Sequence, residues 1–227
     1  ASVVLRAFSV YLCETNPFSP CSFKRISGVG NEYKEAGRVS KFQKIIIPMV
    51  ILVDMDDVLA DFDGGFLAEW RKRFPDAFYI PLEERKEFYM RDEYPEELLP
   101  SMTELFTEKS FVSSLPEIPG GVKAVRKMKE KGHEVFICTS PMRQYSNCVA
   151  EKYEWVEKHL GFDWTTRLIL SRDKTLIGGD ILIDDKPEVT GIRKPSWEHV
   201  IFDKSYNRRI VNGKRITWNN WEEILSL

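Results

Sequence analysis

The stretch Val50-Ile-Leu-Val-Asp-Met-Asp56 sets four apolar residues directly against a pair of acids. An apolar run this short and continuous reads as a strand buried on both faces, the kind found in parallel sheets. The same arrangement recurs three times. Val135-Phe-Ile-Cys138 runs into Thr139-Ser140, Leu168-Ile-Leu170 into Ser171-Arg-Asp-Lys174, and Ile181-Leu-Ile183 into Asp184-Asp185. In open α/β sheets, ligands bind beyond the carboxyl ends of the strands. Four separate segments therefore bring two acid pairs, hydroxyls and a lysine to one sheet edge, a set of groups suited to handling phosphate.

Outward from that first strand, the segment 63–116 carries helical patterns and no strand pattern. Phe66, Leu67, Trp70 and Phe74 recur at helical spacing up to Pro75. Pro81 is placed to open a second helix, and Pro95 a third over 95–109. This stretch is predicted to be a small helical cap inserted after strand one. From 117 onward helices and strands alternate. Val122, Val125 and Met128 mark a helix with Gly132 as its stop, and Val149, Tyr153, Val156 and Leu160 mark a second that ends at Gly161. His199-Val-Ile-Phe202 reads as a fifth strand, and Trp218 to Leu225 as a closing helix. Such alternation predicts parallel βαβ units. The fold class expected is α/β, a Rossmann-like three-layer sandwich. Its core would comprise 48–62 and 117–227, with the cap at 63–116.

Residues 1–47 differ. Seven Lys/Arg face three acids there, with scattered Pro and Gly and no sustained periodicity. A transit peptide would be basic in this way, but the charges build no amphipathic helix, and the segment reads as a disordered extension. Over all 227 residues, 43% are hydrophobic and 30% charged, with a net charge of −2. That composition fits a globular protein with no bulk basic surface for a nucleic-acid polymer or an anionic membrane. No apolar run approaches the roughly 20 residues of a membrane-spanning helix. Cys13, Cys21, Cys138 and Cys148 lack metal-type spacing and read as reduced thiols of an intracellular protein. The histidines 133, 159 and 199 do not converge and read as structural, and the basic stretch Lys204–Arg215 reads as a solvated loop.

The chemistry of the strand ends is specific. Of two carboxylates two residues apart, Asp54 and Asp56, one serves as a nucleophile and the other as a general acid–base. A carboxylate that is already ionised needs no deprotonation to attack phosphorus. Thr139 and Ser140 supply hydroxyl and backbone N–H donors for phosphate oxygens, and Lys174 a compact positive charge. Asp184 and Asp185 side by side repel one another unless a cation offsets them, which predicts a Mg²⁺ site.

These four motifs resemble those of the haloacid dehalogenase-like phosphatase superfamily. Leu52-Val-Asp-Met-Asp, Val58-Leu-Ala-Asp-Phe62, Phe136-Ile-Cys-Thr-Ser-Pro141, Glu151-Lys-Tyr153, Arg172-Asp-Lys-Thr175, Leu182-Ile-Asp-Asp185 and Pro195-Ser-Trp-Glu-His199 resemble, more narrowly, the 5′(3′)-deoxyribonucleotidases over about 50–225. The resemblance implies that Asp54 forms an aspartyl phosphate and that Asp56 protonates the leaving nucleoside oxygen and then activates water. It implies Mg²⁺ on Asp54, the Asp56 carbonyl and Asp185, and phosphate on Thr139, Lys174 and Arg143. It also implies a nucleoside pocket lined by Phe62, Phe88, Tyr89 and Met90, and a deoxynucleoside monophosphate as substrate. A homodimer is implied as well, cytosolic rather than mitochondrial on the likeness of Asn147–Tyr153. A sugar-phosphate phosphatase and an inactive nucleotide-binding relative are the competing expectations. Two departures stand out: Asp57 replaces the glycine usual in the animal enzymes, and the trio Phe88-Tyr89-Met90 departs in detail from the family pattern.

Overall fold

The structure, a computed structural model, describes residues 47–227. The expectation for the N-terminal extension lies outside the described residues, apart from its last position. Six parallel strands form one sheet: β1 (Val50–Val53), β2 (Glu134–Thr139), β3 (Leu168–Leu170), β4 (Ile181–Asp184), β5 (Glu198–Phe202) and β6 (Lys214–Ile216). Their order is β3-β2-β1-β4-β5-β6. The chain steps outward from β1 through β2 to β3, then returns to β1's other side and runs out through β4, β5 and β6. The order therefore reverses between β1 and β4, where a doubly wound sheet opens a crevice at its carboxyl edge. Leu52 pairs in register with Phe136 on one side and Leu182 on the other.

The central strands are apolar throughout because both faces are covered. Ile51, Leu52, Val53, Val135, Ile137, Leu182 and Ile183 are all fully buried. One face packs against a large core that includes Val125 and Met128 of α4 (Gly121–Glu130) and Trp155 and Val156 of α5 (Tyr145–Leu160). The other face gathers Leu52, Cys138, Leu182 and Trp197. Lys131 caps α4, and Gly132 follows with φ +92°, the left-handed turn that a glycine makes without strain.

Between β1 and β2 lie α1 (Phe62–Arg73), α2 (Leu99–Thr107), α3 (Phe111–Ser114) and three short 3₁₀ turns, with no strand of the sheet among them. The chain leaves for this region and returns from it at one place. Asp61 N–H donates to the Pro116 carbonyl at 2.9 Å, and Ile118 N–H donates to the Leu59 carbonyl at 2.7 Å. Asp61 caps α1 by accepting from Gly64 N–H.

Three sequence expectations are corrected. Pro81 opens only a 3₁₀ turn, Leu82–Glu84, because Arg85 turns extended and its side chain is drawn into a buried ion pair. Tyr153 does not belong to the buried stripe of α5. That stripe is Cys148, Glu151, Lys152, Trp155, Val156 and Leu160, so two charged residues sit inside it and Tyr153 turns outward. Finally, Lys204–Arg215 is not simply a solvated loop, since Lys214 begins β6 while Tyr206 and Asn207 are buried.

Candidate active site

Each predicted strand end arrives at the crevice. Asp54 directly follows β1 and continues its ladder, donating its N–H to the Ile183 carbonyl at 2.8 Å. Thr139 closes β2, Asp184 closes β4, and Lys174 starts a 3₁₀ turn just after β3. All four are buried, as is Asp185. Lys174 Nζ lies 2.8 Å from Asp54 Oδ1 and 2.6 Å from Asp184 Oδ2.

Asp54, Asp184 and Asp185 bring one carboxylate oxygen each within 4.8 Å of one another. Lys174 pairs with Asp54 and Asp184, and among the described residues no Lys or Arg pairs with Asp185, so one cation stands against three acids at a place that water reaches poorly. Burial pushes the Asp54 carboxyl up to about 6, with Lys174 opposing and Asp184 and Asp56 reinforcing. Asp185 is raised well above the ordinary carboxylate range, first by burial and then by Asp184 and Asp54. Burial works against the Lys174 ammonium, but its two acid neighbours outweigh burial and hold its pKa above that of an ordinary lysine. A bound divalent cation would relieve this repulsion, and a donor set made only of carboxylate oxygens suits a hard cation.

The Asp56 carboxylate stands apart from that cluster. Lys152 Nζ, from α5, reaches its two oxygens at 2.7 and 2.6 Å and the Thr139 hydroxyl at 3.0 Å. Lys152 is fully buried. Sequence reasoning assigned it no role, although its spacing gave a signal: Cys148, Lys152 and Trp155 lie i, i+4, i+7 on one helix face. The neighbouring Glu151 faces the helical region instead. It accepts the N–H groups of Ser110, Val112 and Ser113 at 2.6, 2.9 and 3.4 Å. One turn of α5 thus steadies both Asp56 and the start of α3.

Asp57 adopts φ +57°, in the left-handed region where glycine is the easiest residue and aspartate one of the more tolerated. The positive φ explains why a glycine suits this position. Here the carboxylate is used: Lys204 Nζ lies 2.9 Å from Asp57 Oδ1, which also accepts Asp63 N–H at 3.1 Å.

A cleft of about 730 Å³ opens from these groups toward the helical region. It is lined by Asp54, Asp56, Thr139, Lys174 and Asp185 and also by Phe62, Phe88, Tyr89 and Met90. Phe88 and Tyr89 meet edge to face at 4.8 Å, and Phe62 rests on Phe106 and Phe111 at 5.3 and 5.4 Å. Ser140 and Arg143 also line the cleft, and Arg143 is exposed there. The Ser140 hydroxyl donates to the Ser171 carbonyl at 2.9 Å, so its proton is engaged in holding two loops together. Cys138, just before Thr139, has its thiol pushed up to about 12 by burial, against the influence of Lys174, a shift that disfavours the thiolate. Among the described residues no helix is long and apolar enough to cross a membrane.

Comparison with known proteins follows the same lines. A family model described as 5′ nucleotidase, deoxy (Pyrimidine), cytosolic type C protein matches residues 48–227. A Bordetella pertussis protein provisionally named a 5′(3′)-deoxyribonucleotidase is 49% identical over 178 residues, 78% of this chain and 96% of its own. The human cytosolic-type 5′(3′)-deoxyribonucleotidase is 45% identical over 185 residues, 77% of this chain and 92% of its own. The human mitochondrial 5′(3′)-deoxyribonucleotidase is 45% identical over 166 residues, covering 70% and 72%. Among solved structures, an HAD family hydrolase from Deinococcus radiodurans R1 with bound phosphate and sodium superposes with a TM-score of 0.50 at 12% identity, over 78% of this chain and 94% of that one. That last likeness speaks for the fold alone.

Proposed function

The chain belongs to the cytosolic-type deoxy 5′-nucleotidase family, and from that premise we propose that it hydrolyses deoxyribonucleoside 5′- and 3′-monophosphates to nucleoside and phosphate. One observation carries the reading: a single cleft of about 730 Å³ is lined both by an acid, lysine and hydroxyl cluster and by the aromatic side chains of Phe62, Phe88 and Tyr89. A sugar phosphate would need the first half and not the second.

In this reading Asp54 attacks phosphorus and becomes an aspartyl phosphate. Asp56 protonates the departing nucleoside oxygen and then takes a proton from the water that hydrolyses the acyl phosphate. That exchange divides one difficult displacement into two easier ones. Lys152, bonded to both Asp56 oxygens, fixes the orientation of that carboxylate toward the leaving oxygen. Thr139, the backbone N–H of Ser140, Arg143 and Lys174 donate to the phosphoryl oxygens. Phe62, Phe88, Tyr89 and Met90 take the nucleoside, whose base stacks on the aromatic faces.

The Asp54, Asp184 and Asp185 carboxylates with the Asp56 carbonyl would hold Mg²⁺, and the convergence of three buried carboxylates on one point, against one lysine, supports that fit. When bound, the cation offsets the charge that phosphate brings to these acids. Residues 63–116 act as a cap over a catalytic core of 48–62 and 117–227. The chain works as a homodimer in the cytosol, with the mitochondrial matrix as the alternative compartment.

The test is phosphate release from dUMP, dTMP, dGMP, UMP and glucose 6-phosphate, with Mg²⁺ and with EDTA, for the wild type and Asp54→Asn. Deoxynucleotide hydrolysis that both EDTA and Asp54→Asn abolish is expected. Release from glucose 6-phosphate alone overturns the nucleoside pocket.

A further inference from the structure

The loop after β5 was expected to be a solvated basic stretch, yet it touches Asp185 twice. Tyr206 O–H donates to Asp185 Oδ2 at 2.5 Å, and Asn207 Nδ2 donates to the Asp185 carbonyl at 2.7 Å. Both residues are buried. Asn207 is held in turn by Arg215, which donates to the Asn207 backbone carbonyl at 2.9 Å. Behind Tyr206 lies Arg85, its guanidinium 5.1 Å from the centre of the phenol ring. Arg85 is buried and ion-paired with Asp63 and with Glu93. It also donates to the backbone carbonyls of Glu87 and Phe88, at 2.8 and 3.3 Å, and so grips the loop that carries the aromatic slot.

We propose that Tyr206 is a positioning residue for Asp185: its hydroxyl fixes one carboxylate oxygen so that the other is presented to a cation. Through Arg85 the same phenol is packed against the support of the Phe88-Tyr89 slot. The inference rests on the reading of Asp185 as a cation ligand. A carboxylate free to rotate in a cluster of like charges would turn away from Asp54 and Asp184. A fixed hydrogen bond removes that freedom before the cation arrives, and partners of metal ligands typically affect affinity by about 10–100-fold.

The experiment is Mg²⁺ binding by titration calorimetry, without substrate, to the full chain as wild type, Tyr206→Phe and Asp185→Asn. Phenylalanine keeps the ring under Arg85 and removes only the hydroxyl. Expected is about tenfold weaker binding for Tyr206→Phe, and a larger loss for Asp185→Asn. A parallel readout is the rise in melting temperature on adding Mg²⁺, compared with EDTA for each protein. That rise shrinks in Tyr206→Phe even if the cation-free variant is itself less stable. Wild-type affinity and a wild-type rise in Tyr206→Phe, with Asp185→Asn impaired, overturn the inference and leave the site assignment standing. Undiminished binding in Asp185→Asn removes the assignment, and the inference falls with it.

Discussion

Protons and a divalent cation compete for the same carboxylates in this site, and the competition has a calculable size. In the cation-free protein the Asp54 carboxyl sits at about 6 rather than 3.8. A group raised in this way stabilises the fold fully below pH 3.8, and that contribution is lost as the pH rises through about 6. The cation-free protein is therefore strained most at neutral pH, where a cation has most to relieve. With a pKa of about 6, the ionised fraction of Asp54 falls from about nine-tenths at pH 7 to about one-tenth at pH 5, so this residue alone weakens apparent Mg²⁺ binding roughly tenfold. Asp185, raised in the same direction, adds to the loss. Titration calorimetry at pH 5, 6 and 7, in buffers of different ionisation enthalpy, measures both the affinity and the protons released on binding. The Mg²⁺-induced rise in melting temperature should shrink in parallel as the pH falls. An affinity that stays constant from pH 7 to pH 5, with no proton released, would refute the reasoning.

Further outcomes follow from single contacts. Lys152→Met removes the ammonium that holds both Asp56 oxygens, and steady-state kinetics on dUMP should show kcat falling on the order of 100-fold with KM little changed. An unchanged kcat would mean that Asp56 needs no such support. Glu151→Ala leaves three backbone N–H groups without their acceptor. Urea unfolding should show a loss of about 3 kcal/mol, and an unmoved midpoint would contradict it. Phe88→Ala should raise KM for dUMP about tenfold through lost base stacking. It should spare release from p-nitrophenyl phosphate, and an equal loss on both substrates would argue against a base slot.

The sheet and the strand ends were legible because each rests on a short-range pattern. Val50–Val53 and Ile181–Ile183 are apolar on both faces, so they read directly as central strands, and their acids follow without interruption. β6 was hidden because Lys214 and Arg215 look like surface residues. As an edge strand it is paired only with β5 on one side, and it buries Ile216 alone. The supports of the site were hidden for another reason. Lys152 reaches Asp56 across 96 positions and Tyr206 reaches Asp185 across 21, so nothing local marks either as a partner. A buried lysine also contradicts the usual expectation for its residue type, and only the charge of Asp56 reconciles it. The helix expected after Pro81 stops at one turn for a related reason, since Arg85 follows the pull of Asp63 and Glu93 rather than the helix rule.

The pair Asp57–Lys204 constrains how this sequence can drift. The two residues are 2.9 Å apart, and both side chains are largely shielded from water. Glycine suits the backbone at Asp57, so a change to it there carries no conformational cost. It would nevertheless remove the nearest partner of the Lys204 ammonium and leave it Asp61 at 4.0 Å, a loss below the roughly 3–5 kcal/mol that an uncompensated buried charge costs. Such a loss is drawn from the about 5–15 kcal/mol that keeps a typical domain folded. Exchanging both residues for neutral ones is often harmless. The two ends of the chain's catalytic half are thus tied in mutational time as well as in space. A lineage that loses Asp57 gains from losing the charge of a lysine nearly 150 positions away as well.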